Sequence, residues 1–270
     1  MRTRYEGAFV IVEGGNDART WAKLKHPTKC DPQIAGSKTN VLESQEILDD
    51  AGVDGVVSVV DRDFDFLLGG TGPRSGNTFV TDSHDIDVDI LLTSALEAML
   101  AEFGDVARVA AFESRCGKRV RGRLFESAAQ IGMMKLASIR NSLDINFGKL
   151  DYVRQIDTTT LLLNEPALVS ECARLAGATP AAFKSLYDQE KQRNYNPSQT
   201  CCGHDVHRIL AIGLQRTFGR QIHGGYDEGA VASNLRLAFQ PTAFRGTSLF
   251  QKIREWEARH APYRILENSL

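Results

Sequence analysis

The chain has 270 residues, 42% of them apolar and 24% charged, with 32 lysines and arginines set against 34 aspartates and glutamates. That length can bury a sizeable core as one large domain or as two unequal ones. A balance near neutrality excludes a globally basic nucleic-acid coat but not a local basic groove, and five cysteines without framework spacing fit a reducing compartment rather than a disulfide scaffold.

The start, MRTRYEGAFVIVEGG, is basic, but its apolar stretch is too short and too soon followed by Glu13 for a signal peptide. No window approaches the length of a membrane span. The expectation is a cytoplasmic protein. AFVIV is a continuous β-branched and aromatic run, the pattern of a strand covered on both faces. Asn16 or Asp17 can cap the helix that follows through Leu24, and Pro27 stops it. QIAG reads as a weak second strand. Asn40 opens NVLESQEILDDAG, with Glu43 placed as in a capping box and Gly52 closing the helix. GVVSVV is a third strand and NTFV a fourth, after which Asp85 or Asp87 opens DILLTSALEAMLAEFG. Strand and helix alternate four times, which predicts a parallel α/β sheet.

After about residue 104 helical periodicity dominates, in GRLFESAAQIGMMKLASIRNSL, PALVSECARLAG, HDVHRILAIGLQRTFG and SLFQKIREWEARH. A hairpin is expected at KLDYVRQIDTTTLLLN and a loop at DQEKQRNYNPSQT. The predicted organisation is an α/β domain over residues 1–104 and a mostly helical region over 105–270, able to pack as one unit with the first.

Acidic residues concentrate at the strand ends. In open α/β sheets, sites form beyond the carboxyl ends of the strands, and Glu13 ends the first strand while Asp61 ends the third. Side chains of an extended segment repeat every second residue, so Asp61, Asp63 and Asp65 project to one side if strand geometry persists. Crowded carboxylates raise one another's pKa, and a hard divalent cation such as Mg²⁺ relieves the repulsion. Such a site can polarise a phosphodiester and activate water. An EF-hand is rejected, because its sixth position is Phe66 rather than Gly and its twelfth is Gly72 rather than Glu. A DxD phosphatase forming an aspartyl-phosphate remains open, although such enzymes usually carry Thr or Val where Asp65 stands and have no need of Glu13. Capping aspartates at strand ends remain the plain alternative, strongest for Asp17.

Glu after the first strand, with DxD after a later one, resembles the Toprim domain of topoisomerases, bacterial primases and OLD-family nucleases. The series VEGGND, VVDRDFD, VTDSHDIDVDILL, CGHDVHRIL and SLFQKIREWE is similar, over most of the chain, to the Toprim-like domain of unknown function 4435 family. That family includes AriB-like effectors of the PARIS anti-phage system. The resemblance implies a Toprim core and a nuclease dependent on Mg²⁺ (or Mn²⁺) that acts on DNA or RNA, tRNA included, as a defence effector. It implies Glu13 as general acid/base or metal ligand, Asp61 and Asp63 as metal holders, and Asp17, Asp65 and Asp87 as candidates for a second site. Relatives often carry Glu where this chain offers Asp82, Asp85, Asp87 and Asp89, and which of these takes the role stays open. An ABC-type ATPase partner and a homodimer are also implied. The alternative is a non-catalytic Toprim scaffold regulating such an ATPase. The chain has no Walker motif of its own.

RCGKRVRGR brings Lys118, Arg119, Arg121 and Arg123 together, either as a solvated helix face or as a phosphate-backbone patch. Lys38 is a further candidate phosphate contact. In CCGHDVH, Cys201, Cys202, His204 and His207 lack zinc-finger spacing. His204 and Asp205 more simply begin a helix, with Asp205 near its positive end, and the resemblance adds an accessory role beside the active site.

Overall fold

The computed structural model of the protein describes residues 5–221 and 225–270; the basic start at residues 1–4 lies outside them. The chain forms two compact units, Met1–Asp89 with Phe239–Leu270, and Ile90–Ala238.

The first unit is built on a four-stranded sheet. The run AFVIV becomes β1 (Ala8–Val12), with all five residues buried. It pairs in parallel with β2 (Cys30–Ile34) on one side and β3 (Val56–Val60) on the other, and β3 pairs in parallel with β4 (Thr78–Val80). The order β2-β1-β3-β4 makes β1 and β3 the adjacent central strands, so their carboxyl ends, where Glu13 and Asp61 follow, lie side by side. The second strand starts earlier than QIAG and contains Pro32, which an edge strand tolerates.

Helices α1 (Gly15–Leu24), α2 (Lys38–Asp50) and α3 (Ile86–Leu91) follow β1, β2 and β4. Val41 of α2 packs with Phe9, Ile11, Val56 and Val60 on one face of the sheet. Inside this layer the Ser58 hydroxyl donates to Gln45 Oε1 at 2.8 Å, which satisfies two buried polar groups. The cap of α2 is Ser37, whose Oγ accepts from the Asn40 amide, not Asn40 as the capping-box pattern suggested.

The second unit holds α4 (Ala95–Phe103), α5 (Val106–Cys116), α6 (Val120–Arg140), α7 (Glu165–Leu175), α8 (Pro180–Gln192), α9 (Pro197–Thr200), α10 (Gly203–Arg216) and α11 (Glu228–Ala238). The single helix expected from residue 89 breaks into α3 and α4. The Thr93 hydroxyl there donates to the Ile90 carbonyl and accepts from the Ala95 amide, the competition that Thr and Ser offer to helical bonding. The expected hairpin is reduced to one antiparallel bridge, Ile156 with Leu163, and the expected loop at residues 188–200 is mostly α8 and α9.

The last helix, α12 (Ser248–Arg259), belongs with the sheet. Trp256 Nε1 donates to Asn77 Oδ1 at 2.7 Å, and the carboxylate of Asp82 caps α12 by accepting from the Ser248 and Leu249 amides at 2.6 and 2.9 Å. Trp21 meets Phe244 edge to face, and the Glu267 amide donates to the Leu24 carbonyl. The division therefore departs from the boundary expected at residue 104. The α/β unit ends earlier, at Asp89, and is completed by the chain's last segment. Both parts of the expected fold class are present: a small parallel sheet of Rossmann-like α/β type and a helical region after it.

Candidate active site

Glu13 and Asp61 follow the two central strands, and the site is assembled from the loops they begin. The Asp61 amide donates to Glu13 Oε1 at 3.0 Å, which ties the two strand ends together. Burial pushes the Glu13 carboxyl up, the Asp61 amide pulls it back and the charge of Asp63 pushes it up again, with a net rise. Asp61 is held well above the usual carboxylate range, first by burial and then by the charges of Asp85, Asp17, Glu13 and Asp63. Its Oδ1 accepts from the Ile86 amide at 3.1 Å, near the start of α3. Asp17 does accept a helix-starting amide, that of Gly14 at 2.7 Å, and also contributes charge to both Glu13 and Asp61.

Strand geometry does not persist through the DxDxD run. Asp63 has a left-handed backbone, φ 49°, and the chain turns immediately after β3, so strict alternation does not place these side chains. Asp63 and Asp65 converge all the same, because one ammonium gathers them. Lys38 Nζ lies 2.7 Å from Asp63 Oδ2 and 2.8 Å from Asp65 Oδ2, and donates to the Asp61 carbonyl at 2.6 Å. Burial lowers the Lys38 pKa, but the two carboxylates outweigh it and the net direction is upward. Lys38 thus faces inward onto carboxylates instead of outward to a phosphate.

The loop after β4 locks this arrangement. The Arg62 amide donates to Thr81 Oγ1, Arg62 Nε to the Thr81 carbonyl, and the Asp63 amide to the His84 carbonyl. The four acids of that loop divide their tasks. Asp82 caps α12. Asp85 accepts from the Val88 amide at 2.8 Å, lies 3.1 Å from His84 Nδ1 and contributes charge at Asp61. Asp89 accepts from the Asp82 and Ser83 amides, and burial drives its pKa to about 7. Asp87 is half-buried on α3. Asp85 is therefore an acid of this loop tied to Asp61. His84, buried beside it with its ring 4.6 Å from that of Phe64, gave no motif signal in the sequence. His84 and Asp85 offer ligand atoms close enough to share a metal ion.

The donor set suits a hard cation. The charges of Asp85, Asp17 and Glu13 all push the Asp61 carboxyl up, and that of Asp17 also pushes up Glu13, while the neighbouring ammonium is bonded to Asp63 and Asp65. Carboxylate oxygens crowded in this way are what Mg²⁺ binds.

The basic run lies in the second unit and is paired throughout. Lys118 and Arg123 bind Glu126, Arg119 binds Glu113, and Arg121 binds Glu97 at 2.6 Å. Arg123 is buried and cannot meet a phosphate backbone. The run is an ion-pair network across α4, α5 and α6, not an open cationic patch. His204 pairs with Glu228, and buried Asp205 with Lys135 at 2.6 Å, so both join helices within the second unit. No helix among the described residues is long and apolar enough to cross a membrane.

The chain matches no family model, and no curated protein is significantly similar to it.

Proposed function

We propose that the protein is a nuclease dependent on Mg²⁺ or Mn²⁺, hydrolysing phosphodiester bonds of DNA or RNA, with the first unit as its Toprim-like catalytic body. The observation that carries this reading is the pairing of Glu13 with Asp61 across the two central strands, both raised in pKa and both at the edge where α/β sheets place their sites. Glu13 and Asp61 would hold the metal, with Asp85 and Asp17 beside them. Bound there, the ion would supply Lewis-acid polarisation of a phosphoryl oxygen and a more acidic water.

The chain's own residues do the rest. The Asp61 amide fixes one oxygen of Glu13. The Glu13 carboxyl, raised by burial, stands where it can carry a proton to or from the reacting oxygen. The bonds of Arg62 and Asp63 to the Thr81–His84 loop keep both strand ends rigid. The role of defence effector and the ATPase partner rest on the family resemblance alone.

Incubation with plasmid, single-stranded DNA and total tRNA, each with Mg²⁺ or Mn²⁺, tests the activity. Glu13→Gln should abolish cleavage with its thermal melt unchanged. Full metal-dependent activity in that variant would sink the assignment. One observation favours the second reading, a scaffold without catalysis: Lys38 already pairs with Asp63 and Asp65, so part of the acidic cluster is held without metal. Under that reading no substrate is cut with either metal.

A further inference from the structure

The loop after β3 contains two phenylalanines with opposite fates. Phe64 is buried and packs on His84, whereas Phe66 is left 39% exposed. Its surroundings nevertheless hold it in place. The Arg62 guanidinium stands 4.4 Å from the ring centroid and is itself tethered to the Thr81 carbonyl. From another side the glycine-rich turn closes in. The Gly70 amide donates to the Asp65 carbonyl at 2.8 Å. Gly72, at φ 87°, comes so near that a Cβ there would stand 3.2 Å from Phe66 Cζ. Phe66 forms one wall of a cleft of about 330 Å³ whose other walls include Leu42, Val60, Leu68 and Pro73, and which opens beside Lys38 and Asp61. That volume lies at the small end of the roughly 300–1,000 Å³ of ligand pockets.

A fixed, solvent-facing aromatic ring with a guanidinium on it, against an apolar slot and next to a phosphodiester-cleaving centre, is the composition of a base-stacking platform. We propose that Phe66, held by Arg62, receives one unpaired nucleobase of the substrate strand in this cleft. The flanking phosphate is then directed towards Asp61 and Glu13. Arg74, exposed on the same loop, supplies positive charge for the adjoining backbone. The proposal rests on the nuclease reading and narrows it to a substrate class: single strands, loops or flipped-out nucleotides, since a base inside a duplex cannot reach such a slot without leaving its stack. Stacking tolerates every base, so selection is by strandedness and not by sequence.

The test is equilibrium binding in Mg²⁺, with Glu13→Gln as the background so that nothing is cut. The probes are a short fluorescent oligouridylate and a blunt duplex of equal length. Phe66→Ala should weaken the oligouridylate roughly 5- to 150-fold, the range worth one stacked base, and leave the duplex unchanged. Phe66→Trp should restore the loss, and the Mg²⁺-dependent rise in melting temperature should be the same in all three proteins. Unchanged oligouridylate affinity in Phe66→Ala, or equal losses on both probes, overturns the platform. If that happens while Glu13→Gln still abolishes cleavage, the nuclease reading survives alone. If neither the Glu13→Gln background nor the wild-type protein binds either probe, both readings fall.

Discussion

The Lys38 ammonium binds two carboxylates and a carbonyl at once, and its charge acts on Glu13, so it opposes a second cation beside it. Lys38→Met should lower the melting temperature of the metal-free protein, by the equivalent of about 1–3 kcal/mol for lost charge-assisted hydrogen bonds. It should also enlarge the rise produced by Mg²⁺, which at hundredfold excess over Kd stabilises a native site by ~2.7 kcal/mol. In Asp61→Asn/Asp63→Asn the rise should vanish. Equal rises in wild type and Lys38→Met would mean that the ammonium does not oppose the ion. Asp89 offers a second check. An aspartate in the unfolded chain loses its proton near 3.8, whereas Asp89 in the folded chain keeps its own to about 7. The folded state therefore binds the extra proton, and stability falls as pH rises between about 4 and 7. Melting curves in EDTA should show that decline in wild type and a shallower one in Asp89→Asn; parallel curves would contradict the assignment. At this scale the sequence was legible where strand ends dictated position, at Glu13 and Asp61. It was illegible where a turn intervened. The convergence of Asp63 and Asp65 depends on Lys38, far away in the chain, and no periodicity reports that.

Among the elements, α12 shows how much of a helix's role lies outside its own pattern. SLFQKIREWE announces an amphipathic helix, but not that Glu257 is buried and accepts from the Ile265 and Leu266 amides at 2.6 and 2.7 Å while pairing with Arg254. Glu257→Ala strands two amides and a guanidinium, and should cost about 3–5 kcal/mol in urea denaturation. A loss below about 1 kcal/mol would assign this network to the surface class. Across α5 and α6 the opposite holds. Arg119 is largely exposed and its pair with Glu113 is a surface pair, so Arg119→Glu should change stability by under about 1 kcal/mol and leave the salt dependence of nucleic-acid binding unmoved. A flatter salt slope in that variant would restore the run as a phosphate contact. The existence of α6, α7, α10 and α12 was readable from apolar spacing, whereas α5, α8, α9 and α11 were not foreseen. Helix ends were not: Ser37 displaced Asn40 as a cap and Thr93 split one helix into two, both through single hydroxyls.

For the molecule as a whole, the α/β unit is discontinuous in sequence, with Ile90–Ala238 inserted between its two parts. Composition changes near residue 104 suggested a simple succession, because the contacts that return α12 to β4 span the whole chain and leave no local trace. A fragment ending at residue 104 keeps every strand but loses the partners of Asn77, Asp82 and Trp21. It should lack a cooperative melt by circular dichroism, while residues 1–89 joined by a flexible linker to 239–270 should show one. A cooperative melt of the shorter fragment would refute the division. The sheet's two outer strands have a further consequence. One contains Pro32, which has no amide hydrogen to donate, and exposed Asp31; the other is three residues long and packs against α12. Neither margin offers the long run of unpaired amides and carbonyls on which another strand could grow. The sheet is thus a mount rather than a meeting surface, and recognition is left to the loops at its carboxyl edge, where the acids, the ammonium and the exposed ring already stand.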